Sequence, residues 1–297
     1  MKNWPWAILA PAFIFVLIGI FSPWLMTHDP AAQDYAALLE GPGWAHWLGT
    51  DYLGRDMFSR IIGGARTSLV AMVFVLVAAL AIGVVIGSFA GYVGGKTELV
   101  LISVIDIALA LPSLVIALAL MGVFSGANFD WMSDYWKMIV ALTMAWWANY
   151  ARMSRAVVVA ELQQPYIEAA RVMGASHIWI FTRHILPHVL GLVVVYASAD
   201  AGALVLAIAT LSFLGLGVAP PTPEWGQMLV DGMSYIEENA ALVIIPGLAL
   251  TAVVVSFNLL GEAFALQKVP RAVRGRLLSR KKAARAAEEV ARKVVEA

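Results

Sequence analysis

The 297-residue chain is 61% hydrophobic and only 13% charged, whereas soluble domains average about 45–50% and about 25%. Its mean hydropathy of +0.80 excludes a soluble globular protein, because the sequence lacks the polar surface that such a fold needs. The absence of cysteine excludes disulfides, thiolate metal sites and catalytic thiols. Equal numbers of basic and acidic residues give a net charge of zero, so we expect no nucleic-acid partner.

Six stretches are long and apolar enough to cross the bilayer core, which needs about 20 residues of helix. These candidate spans cover about 4–26, 68–91, 98–124, 137–153, 189–217 and 240–266. The sequence therefore predicts an all-α, polytopic membrane protein with six transmembrane helices. We keep the first span as a membrane anchor, because it is longer than the apolar core of a usual signal peptide.

The spans divide the chain into three predicted parts. An anchor plus an amphipathic helix occupies 1–67, a core of five spans occupies 68–266, and a basic tail occupies 267–297. If segments alternate across the membrane, most Lys and Arg residues fall on the side of the two termini, and many acidic residues fall on the other. The positive-inside rule then predicts that both termini lie in the cytoplasm.

The connection between the fourth and fifth spans, 154–188, is long and helix-prone. Its pattern predicts a helix over 158–173, ended by Gly174 as a left-handed C-cap, and a second helix over 176–184 that stops before Pro187. Such a helix–turn–helix suits insertion into a groove of a partner protein. A plain connector lying at the membrane surface is the alternative.

The opposite side carries two candidate docking segments. An amphipathic helix is predicted on the outer membrane surface, capped near Thr50 or Asp51, with an apolar face formed by Leu53, Met57, Phe58, Ile61 and Ile62. Membrane anchoring and docking of an extracytoplasmic binding protein are both open for this helix. The proline-rich segment 219–226 is a second stiff loop, which could receive the same protein, shape an outer gate or simply be solvated. The candidate docking residues are Arg55, Asp56, Glu224 and Trp225.

Ionisable residues inside spans are costly, and each is a candidate functional residue. Asp106, Asp200 and Glu262 qualify. Asp106 and Asp200, with Ser198, are candidates for the translocation path, although Asp106 equally suits a structural pair with a neighbouring helix or subunit. If all three acids formed an ion-coupled path, the chain would be a secondary transporter that needs no ATPase.

No catalytic centre, metal site or bound cofactor is predicted. The Gly-Gly-Lys-Thr of 94–97 resembles the end of a nucleotide-binding loop, but it lies in a short turn between spans and lacks the preceding strand. The histidines are divided between the two sides of the membrane, and no hydrolase or metalloprotease motif occurs. We therefore expect a chain that is not an enzyme.

Three motifs point to a known family. Glu168-Ala169-Ala170, with Gly174 and Leu186-Pro187, resembles the coupling-loop signature of permease subunits of ABC importers, with His184 as a small departure. The long stretches 46–69 and 211–226 look like the signatures of the C-type permease of the dipeptide/oligopeptide/nickel importer family.

This resemblance implies a type I ABC importer permease fold in a bacterial inner membrane, and uptake of peptides, with nickel or glutathione-like solutes as alternatives. It implies a second homologous permease, two cytoplasmic ATPase subunits that bind ATP and Mg²⁺, and an extracytoplasmic solute-binding protein as partners. The implied ATPase-contact residues are Glu168, Ala169, Ala170, Arg171, Gly174, Leu186 and Pro187.

Overall fold

The computed structural model describes residues 4–126 and 129–268, with side chains from 9 to 126 and from 129 to 264. The predicted basic tail, apart from its first residues, lies outside the described residues. Ten α-helices occur in these ranges: α1 Trp4–Leu25, α2 Met57–Val93, α3 Gly95–Ala110, α4 Ser113–Gly126, α5 Asp134–Leu162, α6 Pro165–Val172, α7 His177–Ile180, α8 Leu186–Phe213, α9 Trp225–Met233 and α10 Ala241–Lys268. A π-helical turn, Phe181–Ile185, joins α7 to α8. The described residues contain no strand beyond one isolated bridge, so the all-α prediction is confirmed.

Three helical runs of the described residues are long and apolar enough to cross a membrane alone: Met57–Val93, His177–Phe213 and Ala241–Phe264. The pair α3 and α4 gives a fourth crossing if the two count as one broken span, and Leu9–Leu25 is a shorter apolar helix. The predicted count of six spans is compatible with this arrangement and stays a prediction.

The third predicted span is not one helix. Its halves, α3 and α4, are bent by 87° at Leu111, whose extended backbone (φ −104°, ψ 145°) ends α3. Pro112 follows directly, and a proline disfavours the helical conformation of the residue before it. The local sequence Leu111-Pro112 therefore accounts for the bend.

The predicted separate surface helix before the second span is wrong. A single helix runs from Met57 to Val93, and its N-cap is Asp56 rather than Thr50 or Asp51. Residues 51–56 form a turn, closed by a bridge between Thr50 and Asp56. The boundary predicted at residue 67 consequently falls inside α2, because no residue between Met57 and Val93 interrupts its backbone hydrogen bonds.

The predicted helices of the 154–188 loop are shifted. The first is divided between the end of α5 and α6, with a break before Pro165. The second does not stop before Pro187, because α7 continues through the π-helical turn into α8. Pro187 is the second residue of α8 and directly follows the π-helical turn.

Helix α2 packs along α5, and α8 packs along α10. One apolar core fills the half of the bundle near the start of α2, with Met57, Met72, Met138, Leu204 and Trp225 among its buried side chains. A second cluster packs under the 154–188 loop and includes Tyr150, Val158, Ile167, Ile180 and Ile185. The loop is thus part of the folded body.

Candidate functional site

Residues 165–180 form a rigid helix–turn–helix, which we call the knuckle. Helix α6 ends in a Schellman motif: Ala175 N–H donates to the carbonyl of Ala170, and Gly174 N–H donates to that of Arg171, both at 3.0 Å. Gly174 has φ +83°, a conformation in which most side chains are strained. Its predicted role as a left-handed C-cap is confirmed.

One face of the knuckle packs against the helical bundle. Ile167 and Ile180 are fully buried, and Ala170 is nearly so. Tyr92, at the end of α2, donates from its hydroxyl to the carbonyl of His177 at 2.9 Å. Ser176 caps α7 by accepting from Trp179 N–H at 3.3 Å. The knuckle is therefore packed against the bundle and hydrogen-bonded to the end of α2.

The opposite face of the knuckle is exposed and partly apolar. The side chains of Val172, Met173 and Ile178 are 84%, 80% and 77% exposed. Soluble surfaces seldom present large apolar side chains side by side, and such patches mark interaction sites. Glu168 and Arg171 are exposed on the same helix. Apolar contacts with flanking charges are typical of a protein-docking surface.

Most of the predicted ATPase-contact residues come together here. Glu168, Ala169, Arg171 and Gly174 are exposed on the knuckle, whereas Ala170 is buried beneath them. Leu186 and Pro187 lie at the start of α8, half-buried and exposed respectively. The apolar patch of Val172, Met173 and Ile178 and the anchoring role of Tyr92 were not predicted from the sequence. This patch could not be recognised in the sequence, because apolar residues are common throughout the chain.

The two candidate acids of the translocation path each have a partner. Asp106 accepts from Arg152 on α5 at 2.7 Å, which confirms the expected pairing with a neighbouring helix. Asp200 accepts from the hydroxyl of Tyr150 at 2.8 Å, and Ser198 donates within its own helix, to the carbonyl of Val195, at 2.7 Å. Lining of a translocation path by these residues stays a prediction.

At the start of α2, four charged residues form what we call the ion network: Asp51, Arg55, Arg60 and Asp231. Arg55 Nε lies 2.7 Å from Asp51 Oδ2, and Arg60 Nε lies 3.3 Å from the same oxygen. Arg55 Nη2 lies 3.5 Å from Asp231 Oδ2. The two arginines are almost fully buried, so the network ties α9 to the turn before α2.

Asp56 anchors the same region. Its Oδ2 accepts from Ser59 N–H at 2.8 Å as the N-cap of α2, and its Oδ1 accepts from His46 Nδ1 at 2.9 Å. Burial favours a higher pKa of Asp56, but hydrogen bonds from Ser59 and His46 and the charge of His28 outweigh it and hold the pKa below its ordinary value.

Helix α9 is pinned to α2 through Glu224 and Trp225. Glu224 accepts from Gln227 N–H at 3.0 Å as N-cap and from Ser68 Oγ at 3.2 Å, and its burial raises its pKa. Trp225 Nε1 donates to the carbonyl of Ile61 at 3.1 Å. Both side chains are buried.

The four candidate docking residues, Arg55, Asp56, Glu224 and Trp225, are thus all buried with partners in their own chain. Their expected exposure is wrong: Asp56, Glu224 and Trp225 form hydrogen bonds within the chain, and Arg55 forms ion pairs with Asp51 and Asp231. Docking of a binding protein on the surface around them stays a prediction.

Comparison with known proteins identifies the family. Residues 83–271 match the model of the "Binding-protein-dependent transport system inner membrane component". This segment begins within α2, includes the whole knuckle and extends past the described end of α10.

Three curated relatives align over most of the chain. The nickel transport system permease protein NikC of Escherichia coli K12 is 37% identical over 84% of this chain and 88% of the relative. The probable D,D-dipeptide transport system permease protein DdpC of the same strain is 36% identical, with 88% and 86% covered. The glutathione transport system permease protein GsiD of Pectobacterium atrosepticum is 38% identical, with 86% and 84% covered.

The apolar helices and these matches make the chain an integral protein of the inner membrane rather than a catalytic subunit. The chain therefore belongs to the family of binding-protein-dependent transport system inner membrane components, the permease subunits of ABC importers.

Proposed function

We propose that this permease forms one half of a membrane pore, with a second homologous permease as the other half. Two cytoplasmic ATPase subunits bind ATP and Mg²⁺ and supply the energy, and an extracytoplasmic solute-binding protein delivers the solute. This chain itself binds no nucleotide. Both termini and the knuckle lie in the cytoplasm, where ATP is available.

The exposed apolar patch on a rigidly held knuckle is the observation that carries this proposal. Exposed apolar patches of this kind mark interaction sites. The side chains of Val172, Met173 and Ile178 are exposed, whereas the apolar residues on the other face of the knuckle are buried against the bundle. Glu168 and Arg171 flank the patch and select for opposite charges on the groove that receives it. The partner is an ATPase subunit.

Connectivity gives the knuckle a direct mechanical role. Two residues separate α5 from α6, and α7 runs through the π-helical turn into α8 without a loop. Closure of the ATPase pair on ATP binding pushes the knuckle, and α5 and α8 follow as rigid elements. The pore then changes from inward-facing to outward-facing, and ATP hydrolysis resets it. Asp200 and Tyr150, which lie on these two helices, change their position relative to the pore in the same movement.

Co-purification tests the coupling role. The change Glu168→Lys reverses a charge beside the patch and should remove most of the ATPase subunit that is retained after detergent extraction, together with solute uptake. Glu237→Lys is the matched control, since Glu237 is also an exposed acid and lies outside the knuckle. If Glu168→Lys retains the ATPase and full uptake, the knuckle is not the contact. If the wild-type protein never holds an ATPase, and uptake persists without one, an ion-coupled transporter replaces the importer.

The solute is a peptide or a related small molecule. The relatives support this range, since their names specify nickel, a D,D-dipeptide and glutathione. Calorimetric titration of the cognate binding protein with dipeptides, glutathione and Ni²⁺ separates the three. Tight binding of a dipeptide would support peptide import. Binding of Ni²⁺ alone or of glutathione alone would instead identify that compound as the solute.

A further inference from the structure

Two histidines and an aspartate meet at the N-terminal end of α2, although they are far apart in the sequence. One possible metal-ligand atom from each of His28, His46 and Asp56 lies within 4.8 Å of the others. His46 Nδ1 is 2.9 Å from Asp56 Oδ1, and His28 Nδ1 is 3.8 Å from Asp56 Oδ2. The centroids of the two imidazole rings are 4.9 Å apart.

The donor types suit a particular class of ion. Two imidazole nitrogens and one carboxylate oxygen are preferred ligands of Zn²⁺ and Ni²⁺, whereas Ca²⁺ and Mg²⁺ favour oxygen ligands alone. Metal–ligand bonds of about 2.1 Å place tetrahedral ligands about 3.4 Å apart. An ion would therefore replace the proton of the 2.9 Å hydrogen bond between His46 and Asp56 and widen it by about half an ångström, while His28 would move closer to the other two donors by side-chain rotation.

The protein holds these donors in place without an ion. Asp56 is fixed as the N-cap of α2, with its side chain 1% exposed. The segment that carries His28 is pinned to α2, because His28 N–H and Thr27 N–H both donate to Ser59 Oγ, at 3.0 Å and 3.2 Å. Such preorganisation lowers the entropy that metal binding costs.

The charges and the exposure of the cluster also favour a cation. Within the described part of the chain, Arg55 and Arg60 form their ion pairs with Asp51 and Asp231, and no guanidinium lies within 4 Å of Asp56. The side chain of His28 is 43% exposed, so the cluster is open on one side. A water or a solute group can complete the coordination there.

We propose that His28, His46 and Asp56 form a binding site for one divalent transition-metal ion of the Zn²⁺ and Ni²⁺ class. The site lies at the end of α2 opposite the knuckle. A bound ion links the segment around His28, the loop that carries His46 and the start of α2. This cluster was not expected from the sequence, because the 17 residues between the two histidines match no metal-binding spacing motif. The inference does not depend on the importer function.

Metal titration of the full chain tests the site. The protein is purified in detergent without a polyhistidine tag and titrated with Zn²⁺ and with Ni²⁺ in a calorimeter. We expect one ion per chain. His28→Gln, His46→Gln and Asp56→Asn should each weaken binding at least about tenfold, since even outer partners of metal ligands are worth about 10–100-fold in affinity. Asparagine at 56 retains the capping oxygen of α2, so the charge is removed without loss of the cap.

Two histidines at the other end of the molecule provide matched controls. His177→Gln and His184→Gln should leave the affinity unchanged, because both residues lie at or beside the knuckle. Co²⁺ provides a spectroscopic check: its visible absorption in the wild-type protein should disappear in His28→Gln. This variant changes a partly exposed side chain and should retain the wild-type unfolding midpoint in the absence of metal. Unchanged affinity in both His28→Gln and His46→Gln, or binding lost only in the control variants, would overturn the proposal.

Discussion

Asp231 and Asp51 neutralise two arginines that are shielded from water at the start of α2. Removing water from four charges is costly, and only close pairing compensates for it. Arg55 contacts both carboxylates, so the loss of one leaves a buried guanidinium partly unpaired. Each member of the ion network thus depends on the others more than a surface ion pair does.

We predict that Asp231→Asn lowers the stability of the protein markedly. Breaking a buried ion pair from one side costs about 3–5 kcal/mol, and Asp231 contacts both arginines. The thermal unfolding midpoint in detergent should therefore fall by several degrees. Glu238→Gln changes an exposed acid of the segment after α9 and should stay within about 0.5 kcal/mol. Equal midpoints for the two variants would contradict the role of the ion network.

The structural roles of some individual residues could be predicted from the sequence, whereas those of others could not. Gly174 could be placed because a glycine after a helical pattern has one common use, the left-handed C-cap. Asp106 could be expected to pair, since an unpaired charge inside a span is costly. The burial of Arg55 and Glu224 could not be predicted, because Asp231, which pairs with Arg55 in addition to the nearby Asp51, and Ser68, which binds Glu224, lie more than 150 residues away in the chain. Charged side chains are usually exposed, and the rule failed where a distant partner was present.

Among the elements, α2 and α5 approach most closely along a line of glycines. Gly83, Gly87 and Gly91 recur every fourth residue on α2 and face α5. A Cβ atom on Gly87 would lie 2.0 Å from the carbonyl oxygen of Ala151, which is backbone and cannot rotate away. Small residues at this spacing allow membrane helices to pack backbone to backbone.

We predict that Gly87→Ala destabilises the protein, whereas Gly122→Ala does not. The added methyl group at Gly87 must push α5 away, and overpacking of this kind costs about 1–3 kcal/mol. Nothing lies within 4 Å of a Cβ at Gly122 on α4, where alanine should instead favour the helix by up to about 1 kcal/mol. Unfolding midpoints in detergent compare the two variants. A midpoint for Gly87→Ala at or above that of Gly122→Ala would show that the α2–α5 contact is looser than described.

The elements themselves were only partly predictable. Long apolar runs located α1, α8, α10 and the second part of α2, because a bilayer span leaves a strong compositional signal. Hydropathy carries no information on where a helix bends, so the apolar run predicted one span where the structure has two helices bent by 87°. The π-helical turn 181–185 has no sequence signature comparable to a proline or a cap.

For the molecule as a whole, the absence of cysteine makes the predicted orientation directly testable. A single introduced cysteine is then the only thiol that a labelling reagent can find. Glu237 lies between α9 and α10, and Ala169 lies on the knuckle; both are exposed. They should be on opposite sides of the membrane if the positive-inside rule holds for this chain.

We expect a membrane-impermeant maleimide to label Glu237→Cys in intact cells. Ala169→Cys should react only in inverted membrane vesicles, since the knuckle is placed in the cytoplasm. Gel-shift detection of the labelled protein measures both. The cysteine-free wild-type chain provides the background. Labelling of Ala169→Cys from outside would reverse the proposed orientation and would exclude cytoplasmic ATPases as partners of the knuckle.

Helix α2 has a consequence for how distant parts of the protein move together. Its 37 residues measure about 55 Å at 1.5 Å per residue, whereas the hydrocarbon core is only about 30 Å thick. The helix, which we call the strut, therefore extends well beyond the hydrocarbon core. Near one end Tyr92 contacts the knuckle, and at the other end lies the N-cap Asp56. If the strut tilts by about 10° around its midpoint, each end shifts by about 5 Å in opposite directions. A push on the knuckle that tilts α2 would thus displace the opposite end of this helix, on the far side of the membrane, by a similar distance.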